Sequence, residues 1–465
     1  MTTKSYDTRT YKALTFHDAV PRLRDGSDTP RAYLERCLDT IAAREPVVKA
    51  FVVLNEAGAR AAADASGARW KAGNPLSAID GMPIAIKDLL ETKDMATEMG
   101  CEAYRGNFTQ RDNAAVWALR EAGAVILGKT VTAELGGTHP GPTTNPWDPA
   151  RTPGGSSSGS AAAVAARMVP AALGTQVGGS VIRPAAYCGN IALKPTQGGI
   201  NRGERQTTSM STTGVHAGSI EDMWQVAIEI ARRAGGDPGR LGLFGPSTTP
   251  IAAKPERLIV LESAGWAGLD AASKSAFEAL LENLQRAGVS LLRRGDHSWI
   301  EALEQSIVDA AHIANTITAW ENRWYQSALV ALKPEGVSAR LKATVKKAEA
   351  MSPDDYRALL LKRAVAQQCH EALAPLADAV IMLSCPGPAT LWPGDVPGQP
   401  LAQRPTGDSV FNTPSSMLHA PAVTMPLLSV DGMPVGVQLM GQQHQDARMT
   451  SLARWMLGAM TPVVM

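Results

Sequence analysis

Patterns typical of buried strands alternate with patterns typical of helices along most of this 465-residue chain, and this alternation constrains the fold more than any other feature. Short apolar runs such as 257–263 (RLIVLES) and 378–384 (DAVIMLS) are typical of strands that are buried on both faces. Segments such as 219–233 and 446–460 instead repeat apolar residues at helical spacing. Strands that alternate with helices favour an α/β fold, in which helices cover both faces of a central sheet.

Further strands and helices are predicted on the same grounds. The additional strands fall at 81–90, 124–130, 191–196, 421–428 and 434–441. The additional helices fall at 28–66, 112–123 and 273–288.

One long segment differs from this alternating pattern. Residues 298–374 have helical periodicity with few strand signals, and the Pro- and Gly-rich loop 386–400 follows them. No internal repeat or linker divides the chain, so we expect a single domain over 1–465. Within it, 298–400 is predicted to be a helical excursion and loop that cap the core.

Composition and charge exclude several classes of protein. Hydrophobic residues make up 45% and charged residues 19% of the chain, and the net charge is only +1, which argues against disorder and against nucleic-acid binding. No apolar run is long enough to cross a bilayer, so we expect no membrane association. The N-terminal segment MTTKSYDTRTYKAL has no apolar stretch typical of a secretory signal, which favours a cytoplasmic protein.

The cysteines and histidines form no recognisable metal or disulfide pattern. The sequence contains no CxxC pair and no HExxH motif, so we expect no metal site. The five cysteines are widely spaced, at Cys37, Cys101, Cys188, Cys369 and Cys385.

The segment 152–196, which begins TPGGSSSGSAAAVAARM, is the most informative part of the chain. A flexible linker would not run directly into a small-residue helix such as AAAVAARM. A phosphate-binding loop is disfavoured because the segment 152–196 contains neither GxxxxGK[ST] nor a strand followed by GxGxxG. Gly178 and Gly179 precede Ser180, and such glycines let successive N–H groups turn toward one point and bind an oxyanion.

Three motifs in order resemble the amidase signature family: Lys87 in an apolar strand, GGSSSGS at 154–160 and GTQVGGSVIRPAAYCG at 174–189. Ser156 and Ser180 are 24 residues apart, as in that family. The resemblance extends from about residue 10 to about residue 460 and implies the amidase signature fold, an α/β fold in which helices cover both faces of a mixed central sheet.

The resemblance implies a role for each of these three side chains. Ser180 would be the nucleophile, Ser156 a bridging serine entered by a cis peptide bond, and Lys87 the base. An exposed lysine has a pKa near 10.4 and is a poor base at neutral pH, whereas burial lowers that pKa by disfavouring the charged form. Neutral Lys87 would then draw the proton of Ser180 through Ser156.

The resemblance also implies how this machinery is supported. Backbone amides of Val177, Gly178 and Gly179 would hold the oxyanion, together with that of the nucleophile itself. Ser157 and Thr175 match positions that hydrogen-bond the network, although both are also ordinary polar residues of loops.

The chain departs from the family pattern at several positions near these motifs. Gln176 replaces an acid and Val177 replaces a hydroxyl residue, because the usual GTDTGGS is GTQVGGS here. Arg183 follows the nucleophile by three residues rather than two, Ser158 replaces a more frequent Gly, and Ser211 stands where an Asp is common. These departures leave the Lys–Ser–Ser set intact but weaken any inference about substrate.

Other polar candidates have structural explanations that are at least as good. Asp88 and Glu91 flank the lysine and could tune it, but capping roles explain them too. Cys188, in AAYCG, is typical of core packing rather than of a nucleophile. The eight histidines, which include His139 and His216, are scattered and are interpreted as structural or surface residues.

Three tryptophans of the segment 298–400 are candidates for substrate contacts. Trp320 and Trp324 lie one helical turn apart, where core packing and pocket lining explain them equally well. Trp392, in the Pro/Gly-rich loop, is the better candidate for a pocket rim because binding elements concentrate on loops.

The function implied by the resemblance is hydrolysis of linear amides by an enzyme that needs no cofactor. Its partner would be a small-molecule amide, ester or carbamate, and the Trp- and Met-containing cap favours an apolar or aryl substrate such as an aryl acylamide or urethane. A homodimer is compatible with the sequence. The alternative is the A-type subunit of a glutamine-dependent amidotransferase that amidates mischarged tRNA in a complex. Against it stand the altered segment 198–214 and the absence of a clear charged set for a glutamine α-carboxylate and α-amine.

Overall fold

The computed structural model describes residues 5–137, 139–204, 208–396 and 398–465. Positions 205–207 of the segment 198–214 and position 397 of the loop 386–400 lie outside the described residues. The strands in the described ranges are β1 Phe51–Leu54, β2 Pro83–Lys87, β3 Val125–Thr130, β4 Ala171–Gln176, β5 Ile191–Lys194, β6 Thr212–Ala217, β7 Arg257–Val260, β8 Ser290–Leu292, β9 Ala379–Leu383, β10 Ala422–Val430, β11 Met433–Met440 and β12 Val463–Val464. The α-helices in those ranges are α1 Val20–Asp25, α2 Pro30–Val48, α3 Glu56–Lys71, α4 Ala114–Glu121, α5 Ser158–Ala165, α6 Ile182–Cys188, α7 Ile220–Ala234, α8 Ala271–Arg286, α9 Ser298–Ser306, α10 Ala310–Leu332, α11 Ala339–Glu349, α12 Pro353–Ala372, α13 Thr413–Met417 and α14 Asp446–Ala459.

All twelve of these strands belong to one mixed sheet, with the order β1-β3-β2-β4-β6-β5-β10-β11-β9-β7-β8 and with β12 paired to β10. Strand β2 is parallel to both of its neighbours, β3 and β4. Strand β4 is antiparallel to β6, and β9 is antiparallel to β11. The predicted mixed α/β architecture is therefore confirmed.

The inner strands of the sheet are buried on both faces, so their side chains pack into a core on either side. In β2, Ile84 and Ile86 pack into the larger hydrophobic core, whereas Ala85 packs into a second core on the opposite face. Strand β4 repeats the pattern, because Leu173 faces the larger core and Ala172 the second one. Alternate residues of a strand point to opposite faces, so helices must cover both sides of this sheet.

The prediction of helices over the whole of 28–66 is wrong in its middle. Strand β1 separates α2 from α3 and pairs antiparallel with β3 at the edge of the sheet. Helix α2 ends at Lys49, which adopts a left-handed conformation with φ +52°. The strand contains only Phe51–Leu54, and four residues are too few for the apolar pattern of a strand to be recognised between two helices.

Helices α9 to α12 occupy the predicted excursion, in the crossover between β8 and β9. Helix α10 packs against α11, α12 and α13. None of the helices within the described ranges combines the length and the apolar character that crossing a bilayer demands.

Candidate active site

Lys87 is the last residue of the central strand β2, and its side chain is 0% exposed. Its Nζ lies 2.8 Å from Ser156 Oγ, 2.9 Å from Thr175 Oγ1 and 3.3 Å from the Thr175 carbonyl oxygen. Parallel pairing of Ile86 with Leu173 brings the end of β4 beside the end of β2. The register of two neighbouring strands thus sets these contacts, and no carboxylate among the described residues forms an ion pair with this lysine.

Burial lowers the pKa of Lys87 well below that of an exposed lysine, and the nearby positive charge of Arg183 lowers it further. A neutral amine has two N–H donors and one lone pair. The carbonyl and hydroxyl oxygens of Thr175 can accept both N–H groups, which leaves the lone pair for the hydroxyl proton of Ser156. The site therefore suits a neutral amine that accepts a proton.

The loop that precedes α5 carries Ser156, which is 1% exposed. The peptide bond between Gly155 and Ser156 is cis, as the family resemblance implies. The Ser157 N–H donates to the Ser180 carbonyl oxygen at 3.3 Å, and the Thr175 N–H donates to Ser157 Oγ at 3.3 Å. Ser157 and Thr175 thus connect the loops of the two serines, and Thr175 also contacts the lysine directly.

Ser180 lies on the loop between β4 and α6 and is 8% exposed. The N–H groups of Gly178 and Gly179 have no acceptor among the described residues. Gly178 and Val177 are partly exposed, whereas a Cβ on Gly179 would lie 2.6 Å from Asn412 Oδ1. The loop therefore has free donors beside the serine hydroxyl, which is the arrangement that an oxyanion requires.

Gln176 replaces the family's acid without loss of its acceptor role. Its Oε1 accepts the N–H of Val181 at 2.9 Å and that of Ile182 at 3.0 Å, at the start of α6. Its Nε2 donates to Ser416 Oγ at 3.2 Å, near α13. The amide therefore keeps the turn after Ser180 in place and adds a donor that a carboxylate lacks.

Sequence reasoning missed several residues that border the loops of Ser156 and Ser180. Asn315 of α10 is exposed, and its Oδ1 lies 3.9 Å from the position of a Cβ on Gly178. Ser416 Oγ lies 3.5 Å from the Gly178 carbonyl oxygen. A Cβ on Gly136 would lie 3.8 Å from Ser156 Oγ. These contacts join distant parts of the chain, and no local motif announces them.

The tryptophans of the cap have different environments. Trp392 is partly buried and lines a small cavity with Gly154 and Ser158, which flank Ser156, although the serine itself does not line that cavity. The ring of Trp320 stacks on that of Tyr356. Trp324 is 83% exposed, so core packing, one of the two explanations that the sequence left open, does not hold for this residue.

Asp88 and Glu91 serve other partners than the buried lysine. Asp88 forms an ion pair with Lys129 at 2.9 Å and accepts the N–H groups of Glu98 and Met99, while Glu91 pairs with Arg111 at 2.8 Å. The acidic neighbours therefore stabilise local structure rather than a protonated Lys87.

Cys188 and His216 are buried structural groups. Burial raises the pKa of Cys188, which disfavours a thiolate, and its Sγ contacts the Pro153 carbonyl oxygen at 3.4 Å. Burial lowers the pKa of His216 to about 3, so its imidazole is neutral.

Known proteins resemble this chain in fold and in sequence. A crystal structure of an amidase superimposes with a TM-score of 0.83 at 25% identity and covers 96% of this chain and 100% of its own. The A-type subunit of the glutamyl-tRNA(Gln) amidotransferase from Chloroflexus aggregans (strain MD-66 / DSM 9485) is 31% identical over 93% of this chain and 94% of that protein. The corresponding protein from Myxococcus xanthus (strain DK1622) is 28% identical over 95% of this chain and 96% of its own length. The family model named Amidase matches residues 32–450. The chain therefore belongs to the amidase (amidase signature) family of hydrolases.

Proposed function

We propose that this enzyme hydrolyses carbon–nitrogen amide bonds of small molecules through an acyl-enzyme on Ser180, with Ser156 and Lys87 as the proton relay. The observation that carries this proposal is the fully buried amine of Lys87, which lies 2.8 Å from Ser156 Oγ and has no acidic partner among the described residues. A dry amine without a counter-ion is a base rather than a structural cation.

Acylation begins when the relay removes the hydroxyl proton of the nucleophile. Ser156 Oγ accepts the proton of Ser180 and passes its own proton to Lys87, while Ser180 Oγ forms a bond to the carbonyl carbon. The carbonyl electron pair moves onto oxygen, where the N–H groups of Gly178 and Gly179 donate hydrogen bonds. The proton then returns along the relay to the amide nitrogen, the C–N bond breaks and the amine leaves. Water repeats the sequence on the acyl-enzyme and releases the acid.

The substrate range follows from the same tetrahedral chemistry. Esters and carbamates pass through an equivalent intermediate, so aryl acylamides and urethanes belong to the proposed range, and no cofactor is needed. Helix α10 borders the oxyanion loop at Asn315, which supports selection of substrates by the segment 298–400. The enzyme would act alone or as a homodimer.

A second candidate function is that of a component of a glutamine-dependent amidotransferase. The curated relatives at 28% and 31% identity, which are A-type subunits of such amidotransferases, favour it. A glutaminase assay with and without the other amidotransferase components separates the candidates. Release of glutamate that depends on those components would establish the amidotransferase, whereas turnover of small amides by the chain alone would establish the stand-alone hydrolase.

The first prediction is that Ser180 becomes acylated. Incubation with a fluorophosphonate, followed by peptide mass spectrometry, should find the adduct on Ser180, because its hydroxyl lies beside the free N–H groups of the oxyanion loop. Ser180→Ala should abolish both labelling and amide hydrolysis. An adduct on Ser156 or Cys188 instead would refute the assignment of the nucleophile.

A further inference from the structure

Arg183 is a buried cation that the proposed relay leaves unexplained. It lies in α6, three residues after Ser180, and only 6% of its surface is exposed. Among the described residues no carboxylate lies within ion-pair distance of its guanidinium, and its Nε has no hydrogen-bond partner. Burying a charge without a counter-ion is costly, so such a cation persists only where packing holds it or where function uses it.

The guanidinium connects the two loops that carry the serines. Its Nη2 donates to the Gly155 carbonyl oxygen at 2.6 Å, on the peptide bond that enters Ser156. Its Nη1 lies only 2.9 Å from the position of a Cβ on Gly179, in the oxyanion loop. The backbone N–H of Arg183 donates to the Gly179 carbonyl oxygen at 2.9 Å. The guanidinium therefore binds the residue before Ser156 and fills the space beside the residue before Ser180.

We propose that Arg183 is a positioning residue for the reaction at Ser180, which fixes the Ser156 loop relative to the oxyanion loop and sets a permanent positive charge beside both. This inference rests on the proposed function. A shift of about 1 Å between catalytic groups is enough to cost about 100-fold in rate, so a clamp between the two loops has a direct effect on the reaction.

The fixed charge also acts on the base. The positive charge of Arg183 opposes a second positive charge on Lys87 and so lowers the pKa of the amine. The groups that face the guanidinium are Tyr187, Cys385 and Asp408. Burial raises the pKa values of the phenol and the thiol, so both are uncharged near neutral pH. Asp408 forms its ion pair with Arg404, and the remaining titratable neighbour of the lysine, His216, is neutral.

The test separates the charge of the side chain from its hydrogen bonds. Arg183→Gln keeps an amide donor for the Gly155 carbonyl but removes the charge, whereas Arg183→Lys keeps the charge but loses the planar fork. For each variant, kcat/KM for one amide is measured from about pH 5.5 to about pH 10.5 and divided by the fraction of Ser180 that a fluorophosphonate titrates. Arg69→Gln, which breaks the ion pair of a remote arginine with Asp80, is the matched control.

We expect Arg183→Gln to lower kcat/KM about 10- to 100-fold per active site and to move its acidic limb upward by about one pH unit, because the amine holds its proton more tightly. Arg183→Lys should also lower kcat/KM per active site, but the acidic limb of its pH profile should stay at the wild-type position. Arg69→Gln should lower the melting temperature and leave the limb in place.

Different results overturn different statements. If Arg183→Gln and Arg183→Lys both retain the wild-type limb and the wild-type rate per active site, Arg183 is only structural and the inference fails while the proposed function stands. If Arg183→Gln does not fold, the rate per active site of Arg183→Lys decides the positioning role. If the wild-type enzyme does not label at Ser180, both the proposed function and this inference fall.

Discussion

At the scale of single residues, the buried amine of Lys87 leads to a prediction about pH. Only the neutral amine accepts a proton, so kcat/KM should rise with pH as Lys87 loses its proton, and its lowered pKa places that rise below the range of an exposed lysine. Lys87→Ala should remove this limb and lower kcat/KM for amides by about 100- to 10,000-fold. The value of kcat/KM for activated esters should fall less, since their leaving groups need no proton.

The control for this experiment is a second buried lysine. Lys129 lies on the neighbouring strand β3, is 0% exposed and pairs with Asp88. Lys129→Met should lower stability and keep the acidic limb, because its amine does not contact either serine. Equal small losses on amides and esters in Lys87→Ala would show that this lysine, too, is structural.

Most of the candidate site could be predicted from the sequence, because its motifs are local. The lysine ends an apolar strand, and each serine follows a run of glycines or other small residues. The contacts of Arg183 and Asn315 could not be predicted, because one depends on the packing of two loops and the other on a helix that is 137 residues away from Gly178. The role of Gln176 as a double acceptor likewise emerges only from its position at the start of α6.

At the scale of structural elements, the loop that follows the cap helices should influence the choice of substrate. If the indole packs on aryl amides, Trp392→Ala should weaken their binding by about 1–3 kcal/mol, and kcat/KM for them should fall accordingly. Small aliphatic amides should be nearly unaffected, since they do not reach the rim. Paired measurements on one aryl and one aliphatic amide check this prediction.

A matched control lies on α10. Trp324 is 83% exposed, so Trp324→Ala removes an indole from the same segment without removing a cavity wall. This variant should have the wild-type kcat/KM for both the aryl and the aliphatic amide. A uniform loss on both substrates in Trp392→Ala, with a lower melting temperature, would mean that Trp392 stabilises the loop rather than the substrate.

Strands with strong apolar patterns could be predicted, and strands built from small residues could not. Strand β9 lies within its predicted run, and β10 and β11 overlap theirs with ends that differ by one or two residues, because these strands are buried on both faces. Strands β4 and β6, with the sequences AALGTQ and TTGVHA, have too little apolar periodicity to be recognised. They are strands because each is paired on both sides in the sheet, β4 with β2 and β6, and β6 with β4 and β5.

At the scale of the whole molecule, buried histidines predict loss of stability in acid. Burial lowers the pKa values of His216 and His419 to about 3 and that of His370 to about 4. An unfolded histidine titrates near 6.5, so below that pH the unfolded chain binds more protons than the folded one. Above a pH of about 6.5 these histidines cost the folded state nothing. Below that pH the free energy of unfolding falls by up to about 1.4 kcal/mol per pH unit for each histidine, until the pH reaches the lowered pKa of that histidine.

The variant His370→Phe isolates one of these contributions. Chemical denaturation between about pH 7.5 and about pH 4.5 should show a smaller loss of unfolding free energy in the variant than in the wild type, because one protonation is absent. The difference between the two proteins is the relevant quantity, since burial raises the pKa of Asp222 to about 7 and this carboxyl has the opposite dependence on pH. Parallel curves for the two proteins would contradict the prediction.

The enclosure of Lys87 also protects the enzyme from its own chemistry. A neutral amine is a stronger nucleophile than a serine hydroxyl, and an acyl group transferred to Nζ would form a stable secondary amide and destroy the base. The amine has no exposed surface, and its nitrogen is surrounded by Ser156 and Thr175. No acyl donor reaches it, whereas a proton passes through a hydroxyl group. Burial behind a hydroxyl therefore permits proton transfer and prevents suicide acylation.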